Sequence, residues 1–416
     1  METSAESAAP RVARLASATY RRQFGVAAET PLMVGWAPGR INLIGEHTDY
    51  NEGYVLPAAI NRLVALAGRP SDEPFATLYS ARHRELARVR LGDTLDDRQD
   101  AEATPLWARY VRAVWRQLAL AGAAPPSPGF SAALVGNVPL GGGLSSSAAL
   151  EVATAMFAQA LGGAELPPME TARLCQRAEQ QGVGVRVGIM DQAAACLGRP
   201  QHAILLDCRT LDYSHIPARL ADAAWVIFDT RTPHTLAASE YNVRREQGEV
   251  AVARLAPALR EGASGRQAQA LRDVTADDLA RHGARLDALL LRRARHVVTE
   301  NERTLRAADA LRAGDAEGFG ALLDASHASL RDDYAVSSRE LDVAVEVARE
   351  TPGVLGARMM GAGFGGSILA LARRDALRRL KARLAKEYPR RTGGKGALLV
   401  CAITGQMGAR PSLAGA

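Results

Sequence analysis

The spacing of apolar residues predicts helices and strands in mixed order along the first half of the chain. Residues 1–25 form a polar, Ala-rich lead-in that can fold as a helix, and apolar residues at helical spacing predict a helix over 106–118. A short apolar run predicts a buried strand over 130–135, and an Ala-rich helix over 144–161 ends at two glycines. Two further strands are predicted at 203–207 and 225–228.

The second half of the chain is predicted to be mostly helical. A long arginine-rich stretch covers residues 250–350, and strands follow at 367–372 and 397–403, with leucines at helical spacing between them. Residues 209–221 are the least structured connector near mid-chain, so we predict a domain boundary there, between residues 1–215 and 216–416. This mixture of strands and helices indicates an α+β fold in two domains.

The charge balance restricts the chemistry. The 416 residues carry 51 Lys and Arg against 45 Asp and Glu, a net charge of +6, but the lysines are only Lys381, Lys386 and Lys395. None precedes Ser or Thr, so a Gly-Lys-Ser/Thr phosphate loop is excluded, and any cationic catalyst before residue 381 must be an arginine. The arginines are spread along the chain rather than gathered into one stripe, which argues against a nucleic-acid partner.

The cysteines and the apolar runs bear on location. Cys175, Cys196, Cys208 and Cys401 form no C-x-x-C pair, a pattern that fits neither a disulfide framework nor a zinc site and suits a reducing cytosol. The first twenty residues lack a signal-peptide pattern, and no stretch approaches the ~20 apolar residues of a membrane helix. We therefore expect a soluble, cytoplasmic protein without a membrane partner.

A glycine- and serine-rich segment, VPLGGGLSSSAALEVA over residues 138–153, carries the clearest chemical signal. Glycines let the backbone approach a ligand closely, and the free N–H groups at a helix start attract anions, so the segment predicts a polyphosphate site without a lysine. Its serine hydroxyls can reach phosphate oxygens or a bound Mg²⁺. The alternative is an ordinary strand–turn–helix with a serine cap.

Three further segments gather polar groups or glycines. Arg40, Glu46, His47 and Asp49 crowd into ten residues at the end of a predicted strand, which suits a polyhydroxylated ligand or a solvated turn. Asp191 lies at the start of an Ala-rich helix, as a ligand contact or a cap, and Glu179 lies near the end of another helix, as a ligand contact or a surface acid. Glycines 361, 363, 365 and 366 precede a strand, where backbone can pack against a ligand.

Together these segments resemble the galactokinases, a family of GHMP small-molecule kinases. The resemblance rests on PGRINLIGEHTDYNEGYVLP, PLGGGLSSSAALEVA, AEQQGVGVRVGIMDQ with HAILLDCR, SEYNVRREQ, VVTENERTL and MMGAGFGG, which follow one another in the family's order from about residue 20 to 405. It implies a two-domain GHMP kinase fold with the active site in the cleft between the domains. It also implies ATP-dependent phosphorylation of α-D-galactose at O1, the first committed step of galactose catabolism in the Leloir pathway.

The resemblance also assigns roles to residues of this chain. Arg40 would lie by the transferring phosphoryl group, and Asp191 would face the anomeric hydroxyl as the catalytic carboxylate. The sugar would contact Glu46, His47, Thr48, Asp49, Gly188 and Tyr241. The ATP site would comprise Gly141, Gly142, Gly143, Leu144, Ser145, Ser146, Ser147 and Trp107, and Mg²⁺ would bind Ser147 and Glu179. Trp107 and Tyr110 form a WxxY pair that borders the adenine or, by its helical spacing, packs in the core.

The sequence departs from the family after Glu179, where Gly182 and Arg186 replace an aromatic residue and a small or uncharged one. Other readings are a kinase for N-acetylgalactosamine or arabinose, and a non-catalytic galactose sensor. Sensors of the family have lost residues from the serine–alanine run, which is intact here as Ser145 to Ala149. We expect a monomer that acts on galactose and ATP, with Mg²⁺ as the metal and no nucleic-acid partner.

Overall fold

The computed structural model of the protein describes residues 8–91, 104–232, 237–261, 267–405 and 407–412. Its helices are α1 (Ala8–Phe24), α2 (Leu106–Leu120), α3 (Ser146–Ala160), α4 (Pro168–Gly182), α5 (Met190–Leu197), α6 (Ala237–Glu261), α7 (Ala276–His282), α8 (Ala288–Ala313), α9 (Ala316–Asp332), α10 (Arg339–Arg349) and α11 (Leu377–Thr392). Among these residues no helix is both long enough and apolar enough to cross a bilayer.

The strands are β1 (Leu32–Asn42), β2 (Tyr54–Val55), β3 (Pro57–Ser71), β4 (Phe75–Ser80), β5 (Glu85–Arg90), β6 (Gly129–Gly136), β7 (His202–Asp207), β8 (Tyr213–Pro217), β9 (Ala223–Asp229), β10 (Val354–Met360), β11 (Ser367–Arg373), β12 (Ala397–Cys401) and β13 (Gly408–Ser412). They form a six-stranded sheet in the order β13-β1-β3-β6-β4-β5, a four-stranded sheet β10-β11-β9-β12, and a small sheet β2-β7-β8. Only the β4–β6 pair of the six-stranded sheet is parallel; its other pairs and those of the smaller sheets are antiparallel.

Two large hydrophobic cores hold these layers together, and two smaller clusters lie under α1. One large core lies between the six-stranded sheet and α2 to α5, where residues such as Phe130, Phe157 and Leu174 are buried. The other lies between the four-stranded sheet and helices α6, α8, α10 and α11, around residues such as Tyr388. Because helices pack on sheets built almost entirely from antiparallel strands, the α+β expectation is confirmed.

The elements predicted from strong apolar patterns are confirmed as α2, β6, α3, β7, β9, β11, α11 and β12. The connector at 209–221, predicted as the least structured segment near mid-chain, contains strand β8. Only Ile216 of that strand is buried, so the apolar signal was too weak to reveal it. The division of the chain after residue 215 stays a prediction.

Candidate active site

A cavity of about 500 Å³ opens where β1 ends and where α3 and α5 begin, and α6 and the β10–β11 turn complete its walls. Its lining brings together residues that lie more than 300 positions apart in the chain, from Arg40 to Ala362. The predicted site residues among them are Arg40, Glu46, His47, Asp49, Gly141, Gly143, Leu144, Ser145, Ser146, Ser147, Glu179, Gly188, Asp191 and Tyr241.

Three predicted residues do not line this cavity. Thr48 is buried and donates its hydroxyl to the carbonyls of Gly45 and Tyr54, so it shapes the turn from within. Gly142 accepts a hydrogen bond from Ser367 through its carbonyl. Trp107 donates its indole N–H to Glu85 at 2.9 Å and stacks on His83, while its neighbours Leu106 and Tyr110 face the cavity.

Arg40 and Asp191 form a bidentate ion pair in the cavity wall. Arg40 Nε donates to Asp191 Oδ1 at 2.7 Å and Nη2 donates to Oδ2 at 2.8 Å, and the guanidinium is buried. The Ser145 hydroxyl also donates to Asp191 Oδ2. Asp191 lies within the first turn of α5, and its carboxylate points to Arg40 and Ser145 instead of capping the helix. This arrangement leaves a fixed, charged carboxylate at the cavity surface.

The glycine–serine segment folds as predicted into a turn that opens helix α3. Gly141 and Gly143 adopt φ values of 68° and 69°, and Ser145 adopts 55°, all in the left-handed region. The backbone N–H of Arg40 donates to the carbonyl of Leu144 at 3.1 Å, which joins the loop to β1. Ser146 and Ser147, the first residues of α3, line the cavity, and the N–H groups of a helix start attract anions.

The turn after β1 presents Glu46 and His47 to the cavity. Glu46 Oε1 accepts from the backbone N–H of Gly361 at 2.8 Å and from Arg358 Nη1 at 3.1 Å. No role was predicted for Arg358, although an arginine among the apolar residues of a strand is a sequence signal of a paired, buried charge. The contact from Gly361 shows why the glycine-rich turn before β11 reaches this site.

His47 is buried and neutral, because burial lowers the pKa of its imidazole to about 3. Its Nδ1 lies 2.7 Å from the hydroxyl of Tyr50, which in turn lies 2.9 Å from the hydroxyl of Tyr334. Nε2 of His47 has no hydrogen-bond partner among the described residues, although it is buried. A buried nitrogen without a partner is costly, so this atom is available to a polar ligand in the cavity.

Asp49, Gly188 and Tyr241 form a further part of the cavity wall close to His47, whose ring centroid lies 5.9 Å from that of Tyr241. Loss of solvation, and secondly the negative charge of Asp191, raise the pKa of Asp49 to about 7. A Cβ at Gly188 would lie 2.0 Å from Asp49 Oδ2, so only glycine fits beside this carboxylate. The hydroxyl of Tyr241 accepts from the Gly188 N–H at 3.4 Å, which connects helix α6 to the wall.

Glu179 is buried rather than a surface acid, and it belongs to a carboxylate cluster that the sequence did not reveal. The amide of Gln192 donates to Glu179 at 2.8 Å and to Glu151 at 3.0 Å. Burial and the charge of Asp191 raise the pKa of Glu179 to about 7, and burial with the charge of Glu179 raises that of Glu151. Glu151 is the single charged residue of α3, and this was the one sequence signal for its role.

These residues suit a magnesium ion. Ser147 and Glu179 supply hydroxyl and carboxylate oxygens at the cavity surface, the donor type that Mg²⁺ prefers. One oxygen of Glu151 is buried without a partner, and a cation beside Glu179 and Glu151 would favour the charged carboxylates that burial disfavours. No group of three or more His, Cys, Asp or Glu side chains is poised for a metal within the described ranges. Phosphate oxygens and water would therefore supply the remaining ligands of an ion bound here.

The two departures from the family pattern lie outside the cavity lining. A Cβ at Gly182 would lie 2.4 Å from that of Ala113, so helices α4 and α2 pack too closely there for an aromatic residue. Arg186 is exposed, and its Nη2 pairs with Glu249 of α6 at 2.9 Å, while Arg245 donates to its carbonyl. Arg186 thus joins the loop before Gly188 to the helix that carries Tyr241.

Three family models match successive parts of the chain. They are the galactokinase galactose-binding signature over residues 18–70, the GHMP kinases N terminal domain over 109–199, and the GHMP kinases C terminal over 307–390. The mevalonate kinase of Methanococcus jannaschii shares the fold with a TM-score of 0.62 at 17% identity, over 89% of this chain and 98% of its own. The fold and site therefore define a small-molecule kinase of the GHMP class.

Comparison with individual proteins identifies the family within that class. A galactokinase of Chloroflexus aurantiacus is 44% identical over 92% of this chain and 94% of its own, and one of Homo sapiens is 44% identical over 88% and 90%. The crystal structure of the Lactococcus lactis galactokinase complexed with galactose matches with a TM-score of 0.84 at 34% identity, over 94% of this chain and 98% of the other. The chain belongs to the galactokinase family.

Proposed function

We propose that the protein transfers the γ-phosphoryl group of ATP to O1 of α-D-galactose and releases α-D-galactose 1-phosphate and ADP, as the first committed step of galactose catabolism. Family membership supports this reaction, as does the galactose complex of the Lactococcus lactis relative. The observation that carries the proposal is the position of the Arg40–Asp191 pair, between the turn with Glu46 and the glycine–serine loop.

Asp191 is the proposed proton acceptor for the sugar's 1-hydroxyl, because it accepts a hydrogen bond from Ser145 of the loop and lines the same cavity as the proposed sugar contacts. The O1 oxygen attacks the γ-phosphorus, the bond to the β-γ bridging oxygen breaks, and ADP leaves with that electron pair. Arg40 and the N–H groups of the loop stabilise the negative charge on the transferring phosphoryl oxygens.

Glu46, His47, Asp49, Gly188 and Tyr241 are the proposed contacts of the sugar. A carboxylate accepts hydrogen bonds from hydroxyls, and the unpaired Nε2 of His47 adds a further polar atom. Thr48, which the resemblance also assigned to the sugar, holds the turn that presents these groups.

The nucleotide is proposed to lie along Gly141, Gly142, Gly143, Leu144, Ser145, Ser146 and Ser147. Ser147 and Glu179 would hold Mg²⁺, which when bound neutralises charge on the polyphosphate. The assignment of Trp107 to the adenine remains a prediction that rests on the resemblance.

We further propose a monomeric, cytoplasmic enzyme with two domains, residues 1–215 and 216–416. The four cysteines are free and mostly buried, which suits a reducing compartment.

ATP consumption measured against a panel of free sugars tests the function. We expect turnover with galactose and very little with glucose, its C4 epimer, because an unpaired buried polar group can cost on the order of 10⁴-fold in specificity. Faster turnover of N-acetylgalactosamine or arabinose would identify a sister kinase, and galactose binding without ATP consumption would identify a sensor. Turnover of glucose within tenfold of galactose would overturn the galactose assignment.

A further inference from the structure

The VVTENERTL segment of helix α8 lies directly behind the turn that presents Glu46. Glu300 of this segment is fully buried and does not line the cavity. Its Oε1 accepts hydrogen bonds from the backbone N–H groups of Gly45 at 3.1 Å and Glu46 at 3.3 Å. The Ser326 hydroxyl donates to the same oxygen at 2.7 Å. One carboxylate oxygen thus fixes two consecutive peptide groups of the turn.

Glu300 is held in its charged form. Burial alone would raise its pKa, but the positive charges of Arg303 and Arg358 outweigh that effect and the pKa falls to about 2. Arg303 Nε donates to Glu300 Oε2 at 2.7 Å, so the second oxygen is occupied as well. Hydrogen bonds to an ionised acceptor are about twice as strong as neutral ones, which makes this an effective anchor for the turn.

Helix α8 holds the turn at further points. The Nε2 atom of His296 lies 3.1 Å from the Glu46 carbonyl oxygen, and Asn301 Oδ1 accepts from the Tyr54 N–H at 2.9 Å. Gly45 adopts a φ of 94°, and a Cβ there would lie 2.8 Å from the Tyr54 carbonyl oxygen and 3.0 Å from the Thr304 hydroxyl. Both peptide groups of Glu46 are therefore fixed by α8, while its side chain is directed by Gly361 and Arg358.

We propose that Glu300 is a positioning residue for galactose binding, which acts through the backbone of Gly45 and Glu46 and never touches the sugar. This inference rests on the proposed function, since it requires that Glu46 and His47 contact the sugar. A shift of these two residues weakens binding of the sugar in the ground state and in the transition state alike, so the effect appears in the KM for galactose.

Glu300→Gln tests the proposal. Glutamine keeps the shape, but its single acceptor oxygen cannot serve both the turn and Arg303. We expect the KM for galactose, and the galactose Kd measured by calorimetry without ATP, to rise roughly tenfold or more, since hydrogen bonds to charged groups carry this weight. The KM for ATP and kcat should stay within about threefold of wild type. Glu300→Asp keeps the charge for Arg303 but withdraws the carboxylate by one methylene, and should raise the same KM; it carries the test if the glutamine variant does not fold.

Thr351→Val is the matched control for lost stability. It removes a buried hydroxyl just after the end of α10, which donates to the Val347 carbonyl at 2.8 Å and lies outside the cavity lining. It should lower the unfolding midpoint without changing either KM. Glu300 variants whose galactose KM stays within twofold of wild type, or whose two KM values rise in parallel, overturn the inference. A wild-type protein that does not consume ATP with galactose overturns the proposed function itself, and the inference with it, before any variant is measured.

Discussion

Arg358 Nη1 lies 3.1 Å from Glu46 Oε1, and both side chains are closed off from solvent. The same guanidinium donates to the carbonyl oxygens of Asn42, Leu43 and Met359. Strand β10 is thereby fastened to the end of β1, and a residue of the second half of the chain directs the carboxylate proposed to bind the sugar. Because the pair is fully desolvated, its two charges depend on each other far more than those of an exposed pair.

Removal of one charge should therefore cost much stability. Arg358→Met leaves the Glu46 carboxylate buried and unpaired, and we expect the free energy of unfolding to fall by about 3–5 kcal/mol in urea denaturation. The double variant Glu46→Gln/Arg358→Met should lose less than the sum of the two single changes, because their partners are removed together. Arg373→Met, at the exposed pair with Glu317, is the control and should change stability by less than about 1 kcal/mol. Additive losses at Glu46 and Arg358 would contradict the coupling.

Asp191→Asn separates proton acceptance from positioning. Asparagine keeps the shape of the side chain but cannot take a proton, so a general base at this position predicts a loss of ~10²–10⁴ in kcat. Galactose affinity from calorimetry should change far less, because Glu46, His47 and Tyr241 still hold the ring. If the asparagine variant keeps most of its rate while Asp191→Ala does not, the carboxylate orients the hydroxyl in a loose transition state. Near-wild-type rates in both variants would exclude a catalytic role.

Glu179→Gln should weaken the binding of Mg²⁺ at the active site. The change removes the negative charge of the proposed ligand, so activity should fall at low Mg²⁺ and recover in part as Mg²⁺ is raised, while galactose binding to the free enzyme stays intact. Ser147→Ala should act in the same direction through the lost hydroxyl. Glu170→Gln, an exposed change on the same helix, serves as the control. Identical Mg²⁺ titrations for the Glu179 variant and the wild type would refute the metal-ligand assignment.

Asp49 should make stability depend on pH. Its pKa rises on folding from 3.8 to about 7, so the folded state binds more protons than the unfolded state between these values, and stability falls as pH rises through this window. The Asp49→Asn variant has no carboxyl group at this position, so its stability should not show this fall. Relative to the variant, the wild type should lose on the order of 1–3 kcal/mol of unfolding free energy between pH 4 and pH 8, measured by urea denaturation. Parallel stability curves for the wild type and the variant would show that folding does not raise the pKa of Asp49.

Gly188→Ala should impair the proposed galactose site selectively. The new methyl group would have to displace Asp49, whose Oδ2 would lie only 2.0 Å away. We expect a large loss of galactose affinity with ATP affinity nearly unchanged. Gly394→Ala is the control, because no atom beyond its chain neighbours would come closer than 3.4 Å to the added carbon. Unchanged galactose binding in the Gly188 variant would remove this loop from the sugar site.

The sequence predicts those parts of the site that are local in the chain. The turn with Glu46 and His47 and the glycine–serine loop each lie within about a dozen residues, and their composition already indicates their chemistry. Arg358 and Glu300 contact the same turn from more than 250 positions away, so their roles depend on how the two halves pack. Spacing along the chain carries no record of such a contact.

The structure also gives different surroundings to residues that belong to one sequence motif. Trp107 and Tyr110 share one helix and one motif, but only Tyr110 faces the cavity, because the orientation of α2 is set by its packing on α4.

Strand β13 was not predicted from the pattern of apolar residues. Its five residues, GARPS, include glycine and proline, which are unfavourable in strands unless, as here, the strand lies at a sheet edge.

The pairing of β13 with β1 joins Leu32 to Ser412, so the first strand of the chain receives its outer neighbour 380 residues later. During synthesis at about 5–20 residues per second, β1 leaves the ribosome roughly 20–80 seconds before β13 exists. For that time the six-stranded sheet has an open edge beside the strand that carries Arg40, and an open edge invites pairing with other chains. The sheet beneath the active site therefore cannot close before residues 408–412 have been synthesised.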